Sequence, residues 1–224
     1  MQDRILIVCP TRSRPQNAEL TLAAWKETTS GRSDLVFAID DDQSDLYPRL
    51  SGAIYDVRPR KRMIPRFNEV AMDALSQYAY IGFIGDDHRF RTKGWEDRFM
   101  RLSSDQHGWI IAYGDDTLKG EALATAAILS SGIIAAWGHV CPQTLMHMYM
   151  DDVWMVLGKA TGCLKYMPDV IIEHVHYGNG KAPYDAAYGW ANAAMNPDCD
   201  AYNKWLKDGG FDADVAKLQA ARGW

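Results

Sequence analysis

The 224-residue sequence has four cysteines, no internal repeat, no basic excess and no apolar run approaching the ~20 residues of a membrane span. Cys9, Cys141, Cys163 and Cys199 are scattered singly, which excludes the paired spacing of a zinc module and points to a reducing, cytoplasmic setting. A net charge of −5 argues against a chain that holds nucleic acid by bulk electrostatics. No Pro/Gly/Ser-rich linker divides the chain, so one domain is expected over 1–224. Within it, 1–108, 109–180 and 181–224 are read as a nucleotide-binding half, a catalytic half and a helical tail. The opening MQDRILIVCP lacks signal-peptide character and reads as a strand.

What is present is a series of apolar strands that end in acids. Tyr80–Ile84 has the composition of a buried strand and stops at Gly85, which delivers Asp86 and Asp87 side by side. Adjacent carboxylates at a buried strand end are costly unless a cation neutralises them. In open α/β sheets that edge is also where ligands bind, and hard divalent cations take carboxylate and phosphate oxygens there. Leu35–Ile39 likewise ends in Asp40-Asp41-Asp42, and Trp109–Tyr113 ends in Gly114-Asp115-Asp116, read as a solvated loop. The first strand, Arg4–Cys9, runs into Pro10-Thr11-Arg12-Ser13-Arg14, and Pro15 opens a helix to about Thr28. A strand, an arginine-bearing loop and a helix start form a candidate phosphate or nucleotide cradle.

A short strand at Ala53–Val57 precedes the basic cluster Arg58–Arg62, and a helix over 64–78 carries a clear apolar stripe. Arg66 and Asn68 fall off that stripe, where polar groups reach ligands. Beyond Asp87, residues 88–92 read as a loop, with Thr92 capping a helix over 95–102. Ile128–Trp137 reads as a strand pair broken at Ser131-Gly132. A helical pattern from Pro142 to Ala160 contains Asp151, read as a cap, and Asp152, read as the functional carboxylate. Strands are expected at 164–167 and 170–175. The period-2 rule puts His174 and His176 on one strand face, able to share a metal. Helices near 185–195, 199–207 and 212–221 complete the chain.

In order, ILIVCPTRSRP, VFAIDDDQ, IPRFNEV, GFIGDDHRF and MDDVW resemble the motifs of a GT-A glycosyltransferase, most similar to the compact, stand-alone family 2 type of bacteriophages and bacteria. The resemblance spans about residues 4–160, and HVH extends it to 176. It implies an α/β, Rossmann-like, mixed but mostly parallel sheet flanked by helices. It also implies an inverting, metal-dependent transfer of a sugar from a nucleotide-diphosphate donor, a UDP-sugar by preference, to an acceptor hydroxyl. Asp40 or Asp41 would hold the base and ribose with Pro10, Thr11, Arg12 and Arg14 nearby. Arg66 would approach the diphosphate, and Asp86 the ribose side. Asp87 would bind Mn²⁺ or Mg²⁺ with His174 or His176, and Asp152, paired with Asp151, would deprotonate the acceptor. The metal motif here reads Gly-Asp-Asp rather than Asp-x-Asp, and the later pair reads Asp-Asp rather than Glu-Asp. Acceptors in such proteins include glycans and hydroxylated bases of phage DNA, with the host cytoplasm as the setting for a phage enzyme.

Two competing readings share the fold. A sugar-nucleotide nucleotidyltransferase needs a glycine-rich loop with a lysine after the first strand, and CPTRSRPQN has neither. A non-catalytic nucleotide-sugar-binding module has no need of both acid pairs.

Overall fold

The computed structural model describes residues 3–223. Strand β1 (Ile5–Thr11) is apolar because both its faces are covered, as in a central parallel strand. It pairs in parallel with β2 (Ser33–Asp40) on one side and β4 (Tyr80–Phe83) on the other. β3 (Ile54–Arg58) extends the sheet beyond β2. Beyond β4 lie β7 (Ala127–Ser130), β6 (Ile111–Asp115), β8 (Leu164–His174) and β5 (His88–Phe90), giving the order β3-β2-β1-β4-β7-β6-β8-β5. Four pairings are parallel and three antiparallel, so the sheet is mixed and crosses both halves of the chain without a break.

Helices cover both faces. α2 (Met63–Ala74), α4 (Ser131–Trp137), α5 (Met150–Ala160) and α7 (Gly210–Arg222) enclose one core with Phe67, Trp137 and Trp154 at its centre. α1 (Pro15–Thr28) and α3 (Trp95–Asp105) enclose the other, around Trp25, Trp95 and Phe99. Pro15 stands at the first position of α1, where its missing N–H costs no helical bond. α6 (Ala186–Lys207) runs from the acid-ended strand edge to the first core, where Trp205 is buried. No helix among the described residues is long and apolar enough to cross a membrane.

Several expectations change. Ser131–Trp137 is helix α4, not the second strand of a pair, because Ile133, Ile134 and Trp137 bury a helical stripe against the first core. Residues 142–149 form a loop and the helix begins only at Met150, after Tyr149 turns left-handed at φ +66°. Asp151 makes no capping bond. Residues 164–174 form one strand with a bulge rather than two. The register passes from Gly114–Met167 to Asp115–Ile171, leaving Pro168 and Asp169 in the extra stretch. A side chain on Gly114 would strike the Val170 carbonyl there. His88–Phe90, expected as loop, is a strand set against β8, with His88 opposite His174. The helix after it is capped by Gly94, while Thr92 bonds the backbone of Asp169 and Ile171 instead. The two helices expected at 185–207 are one, continuous through Pro197.

Candidate active site

The C-terminal ends of β1, β2, β4 and β8 meet at one edge of the sheet, two of them followed or closed by acids. Asp86 and Asp87 are both buried there. Gly85 makes the approach possible, since a Cβ on it would lie 2.7 Å from Asp87 Oδ1 and 3.1 Å from His88 Nδ1. Thr11 Oγ1 donates to Asp86 Oδ2 at 2.7 Å and stands 3.1 Å from the Tyr47 hydroxyl. Arg14 Nη1 reaches Asp86 Oδ1 at 3.1 Å and lies 3.6 Å from Asp87 Oδ2.

On its other side Asp87 meets histidines. Its Oδ1 lies 3.3 Å from His88 Nδ1 and 3.4 Å from His174 Nε2. The two rings stack at 4.1 Å, as their opposed register on β5 and β8 dictates. One donor atom from each of Asp87, His88 and His174 lies within 4.8 Å of the others, the spacing of a metal-ligand set. The nitrogens that face Asp87 are His88 Nδ1, which also accepts from the Gly85 N–H at 3.1 Å, and His174 Nε2, while the opposite nitrogens, His88 Nε2 and His174 Nδ1, are buried without a hydrogen-bond partner. His176, expected to share the metal, lies outside that set. Its Nδ1 accepts from the Gly178 N–H at 3.0 Å and caps a short 3-10 turn, while its ring packs on His174 and Tyr188.

The electrostatics separate the neighbouring acids. Burial and the charge of Asp87 push Asp86 up to about 6, against the pull of Arg14 and Thr11. Burial also opposes ionisation of Asp87, but the bonds and charges of His174 and His88 outweigh it and hold the carboxyl well below its usual range. Burial, then the charge of His174, lowers His88, favouring the neutral imidazole that binds a metal.

The donor-side expectations fall into two groups. Asp40 is buried at the end of β2, where Arg12 Nη1 donates to its Oδ2 at 2.8 Å and Arg66 lies 3.4 Å from Oδ1. Asp41 stands exposed at the start of the following 3-10 turn. Pro10 is the half-buried penultimate residue of β1, and Arg12 also grips Asp42 through two bonds of 2.8 Å. Arg66 is buried, with its guanidinium donating to the carbonyls of Arg58 and Pro59, so it meets this edge through Asp40. Asn68 reaches no ligand position: it clamps the backbone of Val140 and Cys141.

Asp151 and Asp152 occupy the first turn of α5, both half-buried. Burial and then the charge of Asp152 push Asp151 up to about 7, opposed in part by His174. Burial also raises Asp152, opposed by its own backbone and by Lys119. Asp116 is not a solvated loop acid. It is buried, accepting from the N–H groups of Leu118, Lys119 and Gly120 at 2.6–2.9 Å and from Thr125 Oγ1 at 2.8 Å.

Sequence reasoning missed the contribution of α6. Its cap, Asp185, receives Arg14 Nε and Nη2 at 2.8 and 2.6 Å. Tyr188, one turn on, donates its hydroxyl to Asp87 Oδ2 at 3.1 Å and stacks its ring 4.3 Å from the Arg14 guanidinium. Farther along, buried Asp198 accepts from the N–H groups of Met146, His147 and Met148 at 2.7–2.9 Å, fixing the loop before the acid pair. The only sequence signal for these residues is polar or aromatic identity at helical spacing, which a surface helix shows equally well. His88 was visible as the third letter of Asp-Asp-His, but its role depends on a strand pairing that spans 86 residues (174 − 88).

No family model and no curated protein sequence matches the chain. Solved structures with the same fold include the mannosyltransferase PcManGT from Pyrobaculum calidifontis in complex with GDP-Man and Mn²⁺, at a TM-score of 0.60 and 13% identity over 100% of this chain and 76% of that one. TarS from S. aureus gives 0.58 and 11% over 75% of this chain. Its 1–349 fragment gives 0.56 and 12% over 75%. The chain spans 36% of the length of TarS and 59% of the fragment. The architecture is therefore one that a mannosyltransferase adopts.

Proposed function

We propose that the chain is a metal-dependent glycosyltransferase that moves a sugar from a nucleotide-diphosphate donor to an acceptor hydroxyl, with inversion. One observation carries the reading: Asp87, His88 and His174 converge at a sheet edge between an arginine-lined acid site and a second acid pair of raised pKa. The donor set suits a divalent metal. Two imidazoles beside one carboxylate favour Mn²⁺ over Mg²⁺, which prefers oxygen ligands throughout. When bound, the cation supplies neutralisation of the charge that develops on the departing diphosphate. A Mn²⁺-loaded neighbour with the same fold supports this choice.

Asp40 and Arg12 hold the nucleoside end of the donor, and Asp86 with Thr11 borders the ribose. Arg14 exchanges its contacts with Asp86 and Asp87 for diphosphate oxygens, a fork geometry suited to phosphate. Asp152 accepts the acceptor proton. Burial raises both Asp152 and its neighbour Asp151, the direction that general-base work at neutral pH favours. The donor nucleotide is UDP by resemblance, with GDP as the second choice because PcManGT carries GDP-Man.

Thermal unfolding with UDP, GDP and their sugars, each with Mn²⁺ or EDTA, tests the reading. A ligand of the native state raises its apparent stability by mass action. A Mn²⁺-dependent rise for one nucleotide family is expected. No rise for any nucleotide would overturn the proposal in favour of a protein that kept the fold without the chemistry.

A further inference from the structure

The acid pair has an aromatic neighbour that the donor reading leaves unused. Tyr149 immediately precedes α5, and its ring stacks on Tyr202 of α6 with centroids 5.1 Å apart and planes 20° apart. Both rings rest partly buried on the first core, so one flank of the pair is anchored and the other accessible. Tyr149 holds φ at +66°, an unfavourable conformation for a bulky side chain that concentrates at functional sites. The loop carrying it is fixed by the three N–H bonds to Asp198, itself four residues from Tyr202 on α6. The platform is thus rigid before any ligand arrives, which limits the ordering cost of binding. Asp152 lies within electrostatic reach of both hydroxyls: Tyr149 is pushed up to about 12, first by a bond to Cys199, then by burial, with the charge of Asp152 contributing. Tyr202 is raised by burial and then by that same charge.

Resting on the transferase reading above, we propose that Tyr149 and Tyr202 form the acceptor platform, and that the acceptor is an uncharged saccharide whose sugar ring lies against the tyrosines beside Asp152. Aromatic faces offer apolar area at low conformational cost, and their hydroxyls meet a sugar's polar edge. Charge decides against a nucleic-acid acceptor. Asp151 and Asp152 stand in the first turn of α5, directly after Tyr149, in a chain of net charge −5. Of the basic stretch 58–66, Arg58, Lys61 and Arg66 are already paired with Asp56, Asp73, Glu69 and Asp40, which leaves Arg60 and Arg62 as its exposed arginines without an ion pair among the described residues. A polyanion gains affinity by phosphate neutralisation, and this surface offers little of it.

The test is binding, read by ligand-observed NMR, of neutral oligosaccharides (mannotetraose, maltotetraose and chitotetraose), a hyaluronan tetrasaccharide, and single-stranded DNA containing 5-hydroxymethylcytosine. At least one neutral oligosaccharide is expected to bind, with affinity lowered about tenfold in Tyr202→Leu and kept in Tyr202→Phe. Tyr149→Leu is a second variant at the same platform with the same expected loss. Absence of binding by every neutral saccharide, tighter binding of hyaluronan or DNA, or unchanged affinity in Tyr202→Leu would overturn the proposal. The nucleotide thermal shift separates the two readings: saccharide binding sensitive to Tyr202 without any nucleotide shift would sink the transferase reading and leave the platform standing.

Discussion

Two Asp-Asp dipeptides lie at the same sheet edge, and their surroundings give them different properties. Asp86-Asp87 is met by cations and donors from three directions: Arg14 above, the histidines of β5 and β8 beside it, and the Tyr188 hydroxyl from α6. The result is a split pair, with Asp87 held ionised and Asp86 pushed up to about 6. Asp151-Asp152 has no ion-pair contact among the described residues, and both of its members are raised. A carboxylate kept charged at a histidine cluster suits a metal, while one raised toward neutrality suits proton transfer. Identical side chains acquire separate roles from the counter-charge that the fold supplies.

Breaking the first pair has the largest expected effect. On the proposed assignment, Asp87→Ala lowers transfer by about 10³-fold, since it would remove a metal ligand and with it the stabilisation of the leaving diphosphate; steady-state nucleotide release with Mn²⁺ in excess measures this. Breaking the second pair at Asp152→Asn lowers turnover by about 10²–10⁴-fold, the range of a lost general base, while the nucleotide still raises the melting temperature.

The pH dependence sharpens the contrast. A base must be ionised to act, and burial raises Asp152 above the usual carboxylate range, so turnover is expected to fall with pH while the pH is still above that range. Stability follows with opposite sense. Folded Asp151 keeps its proton up to about 7, whereas the unfolded chain loses it near the usual carboxyl value of about 4. Through this group the native state is favoured at low pH, and the advantage is lost as pH rises from about 4 to about 7. Asp151→Asn should therefore raise Tm by about 2–4 °C at pH 8 and leave it unchanged at pH 4. The smallest change expected is at Tyr188→Phe. It frees Asp87 Oδ2 from a competing donor and tightens Mn²⁺ binding about fivefold, as calorimetry would show.

The strand half of this account was legible in the sequence. Runs such as RILIVC and YIGFI announce buried parallel strands, and acids after Phe83, Ile39 and Tyr113 mark their ligand-facing ends. That pattern points to Asp40, Asp86 and Asp87, the period-2 rule to His174 along with His176, and the structure brings Asp40, Asp86, Asp87 and His174 to one edge. The rest depended on contacts between distant segments. His88 replaces His176 in the donor set because β5 pairs with β8 at that register. Arg66 and Asn68 lie off the apolar stripe of α2 as expected, yet both are absorbed by backbone carbonyls and amides of neighbouring loops. α6 reads as an ordinary tail helix interrupted at Pro197, whereas its polar residues reach the site at two places. Tyr188 and Tyr202 are separated by about 21 Å of helix at 1.5 Å per residue, so one element touches both Asp87 and Tyr149, the residue before α5. Helical periodicity records which face is apolar and carries nothing about what a polar face will meet.

The division of labour between the two acid pairs is tested most directly by calorimetric titration of Mn²⁺ with UDP or GDP present, in the wild type, Asp87→Ala and Asp152→Asn. Asp87→Ala is expected to lose binding of both metal and nucleotide, while Asp152→Asn binds both as the wild type does yet fails to turn over. Wild-type Mn²⁺ affinity in Asp87→Ala, or equal loss of binding in both variants, would contradict the assignment of metal to one pair and proton to the other.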